Sequence, residues 1–231
     1  MKCCAALFVA ALLPIIPAQA QESPTKGLEL AKEPHHTLLF QNSEVRVFHL
    51  NLKPGEVTLP HRHETFYAFF SLSPVAIGNE VRGHQPVLTR LDSNELHTSK
   101  GGFTVAERNN SSKPAELLVI EAAKVESEGF SAPMGGFRYH SSAYSALFES
   151  PTMRAYSMIL FDGGLTDPHT ETYGGLFLAV SDLKLLEMGP DGTSSQWEMK
   201  AGETRWVPRG VTHALANLGP SNATFIVLEL N

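Results

Sequence analysis

The chain has 231 residues, of which 42% are hydrophobic, and a formal net charge of −6. An acidic chain without runs of Lys and Arg argues against nucleic acid or an anionic membrane surface as its partner. The two cysteines, Cys3 and Cys4, stand at the very start. Disulfides, thiolate metal sites and cysteine nucleophiles are therefore excluded from the domains that follow.

Residues 1–20 have the three parts of a secretory signal peptide. Lys2 gives a positive start, AALFVAALLPII is an apolar run, and AQA puts small residues ahead of Gln21. A transmembrane anchor is disfavoured because the run is short and prolines interrupt it at positions 14 and 17. We expect cleavage after Ala20, which predicts a secreted or periplasmic protein of about 210 residues without a membrane anchor.

The rest of the chain is a tandem duplication. LLFQNSEVRVFHLNLKPG (38–55) aligns without a gap on ALFESPTMRAYSMILFDG (146–163), at an offset of 108 residues. The same offset pairs Glu121 with Glu229. Chance matches would not share one constant offset over this length, so the chain contains two copies of one folding unit.

Each copy is rich in predicted strands. EVRVFHLNL, AELLVIEA and TFIVLEL have the branched, aromatic and apolar content typical of strands. KPGE, FDGG, GPDG and VPRG are turn signals at intervals of roughly ten residues. Many short strands separated by such turns predict an all-β fold of two tandem jelly-roll barrels that pack against each other.

The repeat also predicts the domain boundaries. The two barrels occupy residues 36–123 and 139–231, and the segment at 124–138, rich in Gly, Ser and Pro, joins them as a linker. The polar segment 21–35 is an N-terminal arm, either disordered or a strand lent to the other barrel. The oligomeric state is open between monomer and homodimer.

The second unit holds the strongest candidate site. His169 and Glu171 are two residues apart after a turn bounded by proline, so on a strand both side chains project from one face. Tyr173 joins them if the strand continues. His213 follows a Pro-x-Gly turn, and pairing of the two strands brings two imidazoles and one carboxylate together. This set suits a divalent ion of Fe, Mn, Ni, Cu or Zn.

The carboxylate and the phenol of this site are also candidate catalytic groups, and several roles are open. Glu171 is a metal ligand, a general base beside the ion, or an exposed carboxylate at the barrel rim. Tyr173 is a fourth ligand, an acid/base partner or a residue of the wall.

The spacings resemble the two sequence motifs of the cupin superfamily. The second motif is matched in full by Gly202, Pro208, Gly210, His213 and Asn217. The first is matched by Gly163 and His169. Glu171 stands where a second histidine is usual, and Leu176 replaces the motif glutamate. The resemblance covers nearly the whole chain after the predicted signal peptide, and it implies a bicupin with a metal ion held inside the mouth of the second barrel.

The first unit retains only part of these motifs. Gly55, His61 and His63 match the opening of the first motif, but Ala68 replaces its glutamate. Val105 replaces the histidine of the second motif. The resemblance therefore implies a degenerate metal site in the N-terminal barrel.

Two imidazoles rarely hold an ion alone. A metal at His61 and His63 would need help from Glu64 or His97, and Glu64 is expected on the opposite face of the strand. Histidines that match no ligand position are interpreted as structural, namely His35, His36, His49, His84, His97 and His140.

Two functions follow from the resemblance. A set of two histidines and one carboxylate with open positions suits oxygen activation at Fe(II) or polarisation of a carbonyl. Cupins of this kind are similar to dioxygenases, isomerases and decarboxylases, which favours a metal-dependent enzyme acting on a small molecule. The alternative is a non-catalytic ligand- or sugar-binding, or storage-like, bicupin, because both units lack the motif glutamate. An open polar pocket in the second barrel favours the enzyme, and a closed apolar interior favours the alternative.

Overall fold

The structure is a computed structural model that describes residues 27–124, 127–134 and 142–231. The predicted signal peptide and its cleavage site lie outside the described residues, as does part of the linker. Within the described ranges the regular structure consists of β-strands and one 3-10 turn, Leu30–Lys32. No helix in these ranges is long and apolar enough to cross a membrane. The all-β prediction is confirmed.

The first unit folds into two five-stranded sheets. Its described strands are, in chain order, β1 (Leu28–Glu29), β2 (His36–Gln41), β3 (Val45–Leu52), β4 (His61–His63), β5 (Tyr67–Ser71), β6 (Val75–Val81), β7 (Val87–Leu91), β8 (Leu96–Ser99), β9 (Phe103–Asn109) and β10 (Ala115–Ala122). One sheet has the order β1-β4-β9-β6-β7, and the other has the order β2-β3-β10-β5-β8.

The second unit repeats this arrangement. Its described strands are β11 (Ser142–Glu149), β12 (Met153–Leu160), β13 (His169–Thr170), β14 (Gly174–Ala179), β15 (Leu183–Met188), β16 (Ser194–Met199), β17 (Thr204–Val207), β18 (Thr212–Asn217) and β19 (Ala223–Leu230). The sheet orders are β11-β12-β19-β14-β17 and β13-β18-β15-β16. Strands β13 and β18 thus correspond to β4 and β9, and the tandem jelly-roll topology is the same in both units apart from β1.

The apolar strands at the end of each unit explain how the barrels pack. Because successive side chains of a strand point to opposite faces, a strand covered on both faces is apolar throughout. In β10, Leu117 and Val119 belong to the core of the first barrel. Leu118 and Ile120, on the other face, belong to a buried cluster that also contains Leu228 of β19. The two barrels therefore share one apolar interface, as predicted.

The described part of the N-terminal arm belongs to the first barrel. Leu28 pairs with His61 in the parallel pair of β1 and β4. Leu30 is 1% exposed and lies in the core of the same barrel. This part of the arm is neither disordered nor exchanged with the second barrel, and it carries the chain directly into β2.

Candidate metal centre

The three predicted ligands of the second unit meet where β13 and β18 pair. His169 lies directly opposite His213 in the antiparallel register. One ligand atom from each of His169, Glu171 and His213 lies within 4.8 Å of the other two. Glu171 Oε1 is 3.1 Å from His213 Nε2 and 3.7 Å from His169 Nε2. The structure thus brings together two imidazoles and one carboxylate, as the strand pattern predicted.

The VPRG turn positions Glu171 against His213. Pro208 has a fixed φ, and Gly210 adopts a φ of +85°, a left-handed conformation that glycine tolerates best. The Gly210 N–H donates to the Glu171 carbonyl at 2.8 Å, and the Glu171 N–H donates to the Val211 carbonyl at 2.9 Å. These two hydrogen bonds hold the backbone of Glu171 beside the start of β18, although β13 has ended one residue earlier.

Both imidazoles are oriented by hydrogen bonds on the far side of the ring. His169 Nδ1 donates to the Asp167 carbonyl at 2.9 Å, and His213 Nδ1 donates to Glu187 Oε1 at 2.8 Å. A carbonyl oxygen only accepts, so His169 carries a proton on Nδ1 and turns Nε2 towards Glu171. Histidines that bind metals are held in this way. The donor set therefore fits a divalent first-row ion.

Glu187 is a functional residue that the sequence reasoning missed. While its Oε1 accepts from His213, its Oε2 accepts from Ser195 Oγ at 2.9 Å and from Trp197 Nε1 at 3.0 Å. Glu187 follows the buried Leu185 by two residues on β15, at a position where the alternation predicts an inward-facing apolar side chain. A carboxylate at an inward-facing position is unusual, and Glu187 could have been recognised as a candidate from this pattern.

The carboxylates make this cluster favourable for a positive charge. Burial raises the pKa of the Glu171 carboxyl, but hydrogen bonds from His169 and His213 outweigh burial and lower that pKa below its usual value. Burial lowers the pKa of His213, but hydrogen bonds to Glu171 and Glu187 outweigh it and raise the pKa. Two carboxylates on either side of one imidazole stabilise a cation between them.

The cluster lies between two clefts. One cleft has a volume of about 440 Å³ and is bordered by His169, Glu171 and polar side chains. The other has a volume of about 480 Å³ and is bordered by Glu187 and His213. Both volumes fall in the range of small-molecule sites. Polar clefts thus border the ligand cluster of the second barrel, whose three ligand side chains are 1–7% exposed.

Arg154 fixes the linker as a wall of the first cleft. Its guanidinium donates from Nη1 to the Ala132 carbonyl at 2.7 Å and from Nη2 to the Pro133 carbonyl at 3.1 Å. Nε donates to the carboxylate of Glu229. The side chain is 2% exposed and its charge is paired with Glu229, so Arg154 shapes the cleft rather than offering a free positive charge.

Tyr173 does not join the ligand cluster. Because β13 ends at Thr170, the alternation of strand faces does not extend to residue 173. The Tyr173 hydroxyl accepts hydrogen bonds from the N–H groups of Ser131 at 2.7 Å and Ala132 at 3.2 Å. The condition for Tyr173 to join the ligands, a strand that continues to residue 173, is therefore not met, and of its open roles its position supports that of a wall residue. Tyr173 anchors the linker.

A second ligand cluster lies inside the first barrel. His61 and His63 on β4 are fully buried, and their Nε2 atoms are 3.2 Å apart. His36 of β2 and Glu107 of β9 also reach this point, and one ligand atom from each of His36, His61 and Glu107 lies within 4.8 Å of the other two. The structure therefore unites the predicted pair with two residues that the sequence reasoning missed.

The helpers that the sequence suggested for the first barrel lie elsewhere. Glu64 pairs with Arg62 at 2.9 Å, and its side chain is 50% exposed, as its position on the opposite face predicted. His97 is 49% exposed and lies 3.8 Å from Glu95. Glu107 could have been recognised from the strand pattern, because it follows the buried Val105 by two residues on β9. No sequence pattern pointed to His36.

No protein-family model and no curated protein matches the sequence. Solved structures do match it. Oxalate decarboxylase from Bacillus subtilis is 10% identical over 90% of this chain and 76% of its own, with a TM-score of 0.60. Salicylate 1,2-dioxygenase from Pseudaminobacter salicylatoxidans is 13% identical over 84% and 75%, with a TM-score of 0.64.

A cupin 2 conserved barrel domain protein from Leptotrichia buccalis is 12% identical over 85% of this chain and 88% of its own, with a TM-score of 0.56. At these identities the likeness concerns the fold. It agrees with the motifs and with the duplicated topology. The chain is therefore similar in fold to these proteins and consists of two tandem barrels.

Proposed function

We propose that this protein is a metal-dependent enzyme that acts on a small molecule at the cluster of His169, Glu171 and His213. The observation that carries the proposal is the convergence of three oriented ligand atoms between two clefts. Structural metal sites are closed by four protein ligands, whereas catalytic sites keep a position open for water or substrate. Three protein ligands beside an accessible cleft are typical of a catalytic site.

The ion that fits this donor set is one of Fe, Mn, Ni, Cu or Zn. Once bound, it supplies polarisation of a substrate oxygen or, as Fe(II), activation of dioxygen. The reaction belongs to the dioxygenase, isomerase or decarboxylase class, and two of the matching structures bear the names of a decarboxylase of oxalate and a dioxygenase of salicylate. Small carboxylic acids are therefore the first substrates to try.

The residues around the ion have distinct tasks. Glu187 holds the ring of His213 in one orientation and keeps its Nδ1 protonated, so that Nε2 binds the ion. Glu171 contributes negative charge that offsets the charge of the cation. The linker wall at Ala132 and Pro133 narrows the cleft next to Glu171. If the predicted signal peptide is cleaved, this chemistry takes place outside the cytoplasm.

Elemental analysis of the chain purified without chelators tests the proposal. We expect His213→Ala to remove one equivalent of metal per chain relative to wild type, because only Glu171 and His169 then remain. His84→Ala, at an exposed histidine outside both clusters, is the control and should leave the metal content unchanged. Equal metal content in wild type and His213→Ala would contradict the proposal.

Turnover is measured on the same proteins with oxalate, salicylate and related acids, in air and without oxygen. The proposal predicts that His213→Ala abolishes turnover and that His84→Ala retains it. Dependence on oxygen separates the dioxygenase class from the decarboxylase and isomerase classes.

A further inference from the structure

The cluster in the first barrel reproduces the ring geometry of the second. The rings of His36 and His61 are 4.7 Å apart with an interplanar angle of 57°. The rings of His213 and His169 are also 4.7 Å apart, with an angle of 63°. His61 and His169 occupy equivalent positions of the repeat, but His36 and His213 do not. An imidazole from β2 thus takes the place of the histidine that the second motif has lost at Val105.

A carboxylate completes this likeness. Glu107 Oε2 is 3.7 Å from His61 Nε2, the same distance as from Glu171 Oε1 to His169 Nε2. Glu107 Oε2 is also 3.7 Å from His36 Nε2. Each barrel therefore contains two imidazoles and one carboxylate around a common point, although Glu107 lies on β9 and Glu171 follows the end of β13.

The protons of His61 and His63 are fixed by their neighbours. His61 Nδ1 donates to the Leu59 carbonyl at 2.9 Å. His63 Nδ1 donates to Glu121 Oε1 at 2.9 Å, and Arg46 donates to the other oxygen of Glu121 at 2.7 Å. Both Nε2 atoms therefore carry lone pairs, and they face each other at 3.2 Å. Two acceptors at this distance require a cation or an added proton between them.

His36 is oriented in the same way. Its Nδ1 donates to Glu33 Oε2 at 2.8 Å, and the Glu33 carboxylate also accepts from the N–H groups of His35 and Leu59. This leaves the lone pair of His36 Nε2 directed into the cluster. Neither His36 Nε2 nor Glu107 Oε2 makes a hydrogen bond within the described ranges, and both atoms are buried. Buried polar atoms without partners are costly, and a shared cation would satisfy them.

We propose that the first barrel binds a second divalent transition-metal ion, with Zn²⁺ as the best match, through His36, His61 and Glu107. His63 lies beside this site, with its Nε2 atom 3.2 Å from that of His61. Atoms bound tetrahedrally to zinc at about 2.0–2.1 Å lie about 3.3 Å from one another. The separations of 3.7 Å from Glu107 Oε2 to the Nε2 atoms of His36 and His61 are close to this value.

This site has a structural rather than a catalytic role. The side chains of His36 and His61 are not exposed, and that of Glu107 is 10% exposed. The adjoining cavity, which Glu107 borders, has a volume of only about 20 Å³, too small for a substrate. Since His36 follows the N-terminal arm, a metal here fastens the arm to β4 and β9. The proposal is independent of the reaction proposed for the second barrel.

The test is a zinc titration of the full chain after removal of metals with a chelator, followed by elemental analysis. We expect two equivalents of Zn²⁺ in wild type and one in Glu107→Gln, a nearly isosteric variant. His213→Ala is also expected to retain one equivalent, and the double variant none. Glu116→Gln, at an exposed carboxylate of the same barrel, is the control and should retain two.

Thermal unfolding gives the second readout. Zinc should raise the Tm of wild type and of His213→Ala, and raise it less in Glu107→Gln, because a structural ion stabilises the folded state. The same titration is made with His36→Gln, and if that variant fails to fold, Glu107→Gln carries the test. The proposal is overturned if Glu107→Gln binds as much zinc as wild type, or if His213→Ala binds none.

Discussion

The two barrels have the same strand order, yet they bring their imidazoles to the ligand cluster from different strands. In the second barrel the partner of His169 comes from β18, directly opposite on the paired strand. In the first barrel the partner of His61 is His36, which comes from β2 in the other sheet. Inward-facing side chains of many strands converge inside a small barrel. The two copies have therefore kept the location of the donor atoms inside the barrel, although different positions of the repeat supply them.

The barrels also differ in access. The cluster of the second barrel adjoins clefts of about 440 and 480 Å³, whereas the cluster of the first adjoins a cavity of about 20 Å³. The difference in neighbouring volume is the basis for proposing a reaction at the second cluster and a structural ion at the first.

An Arg–Glu ion pair next to each cluster shows how the two barrels have diverged. Arg46–Glu121 and Arg154–Glu229 occupy equivalent positions of the repeat. In the first barrel Glu121 accepts a hydrogen bond from His63 as well. The second barrel has Glu171 at that repeat position, so Glu229 lacks this donor. Burial raises the pKa of Glu229, and the hydrogen bond from Arg154 offsets only part of this.

The largest effect is expected from removing the arginine of the second pair. Arg154→Met leaves the buried Glu229 carboxylate and two linker carbonyls without their donor, which should lower the free energy of unfolding by about 3–5 kcal/mol at neutral pH. Urea unfolding measures this loss.

The matched variant is Arg46→Met in the first barrel. Arg46 is 27% exposed, and Glu121 keeps its hydrogen bond from His63, so a smaller loss is expected. Equal losses in the two variants would contradict the interpretation that Glu229 depends on its arginine more than Glu121 does.

A moderate effect is expected at Glu187. Glu187→Gln retains the shape of the side chain but weakens the acceptor for His213 Nδ1, and changes of this kind lower metal affinity by about 10- to 100-fold. Titration of the metal-free protein measures the affinity. Glu198→Gln, at an exposed carboxylate on the neighbouring strand β16, is the control and should leave it unchanged. If the two variants bind equally tightly, Glu187 does not orient the ligand.

The part of the second site that could be predicted depends on residues close together in the sequence and on the repeated turn. His169 and Glu171 are two residues apart, and the pairing of β13 with β18 follows from the repeated turn, so their meeting with His213 could be inferred from spacing. The role of Tyr173 could not be decided from the sequence because the end of β13 depends on the VPRG turn, which holds Glu171 outside the strand. Beyond the end of the strand, side chains no longer alternate between its two faces.

The first site was less predictable because its ligands are distant in the sequence. Glu107 was within reach of the same alternation argument, since it shares a face of β9 with Val105. The position of His36 depends on the register of β2 against β3, where it pairs with Leu50. No local pattern specifies that register. That His36 lies next to His61 can therefore be recognised only from the three-dimensional structure of the barrel.

The smallest and most discriminating effect is expected when the imidazole ligand is moved from position 36 on β2 to position 105 on β9. Val105 lies opposite His61, as His213 lies opposite His169, and it is 2% exposed. Val105→His alone should destabilise the first barrel by about 1–3 kcal/mol, because His36 already fills the space. In the double variant His36→Ala/Val105→His the space is free, and part of the zinc binding lost in His36→Ala should return. Zinc titration and Tm compare the three proteins. If the double variant binds no more zinc than His36→Ala, the barrel interior does not let two strands supply the same ligand, and the equivalence of His36 and His213 is wrong.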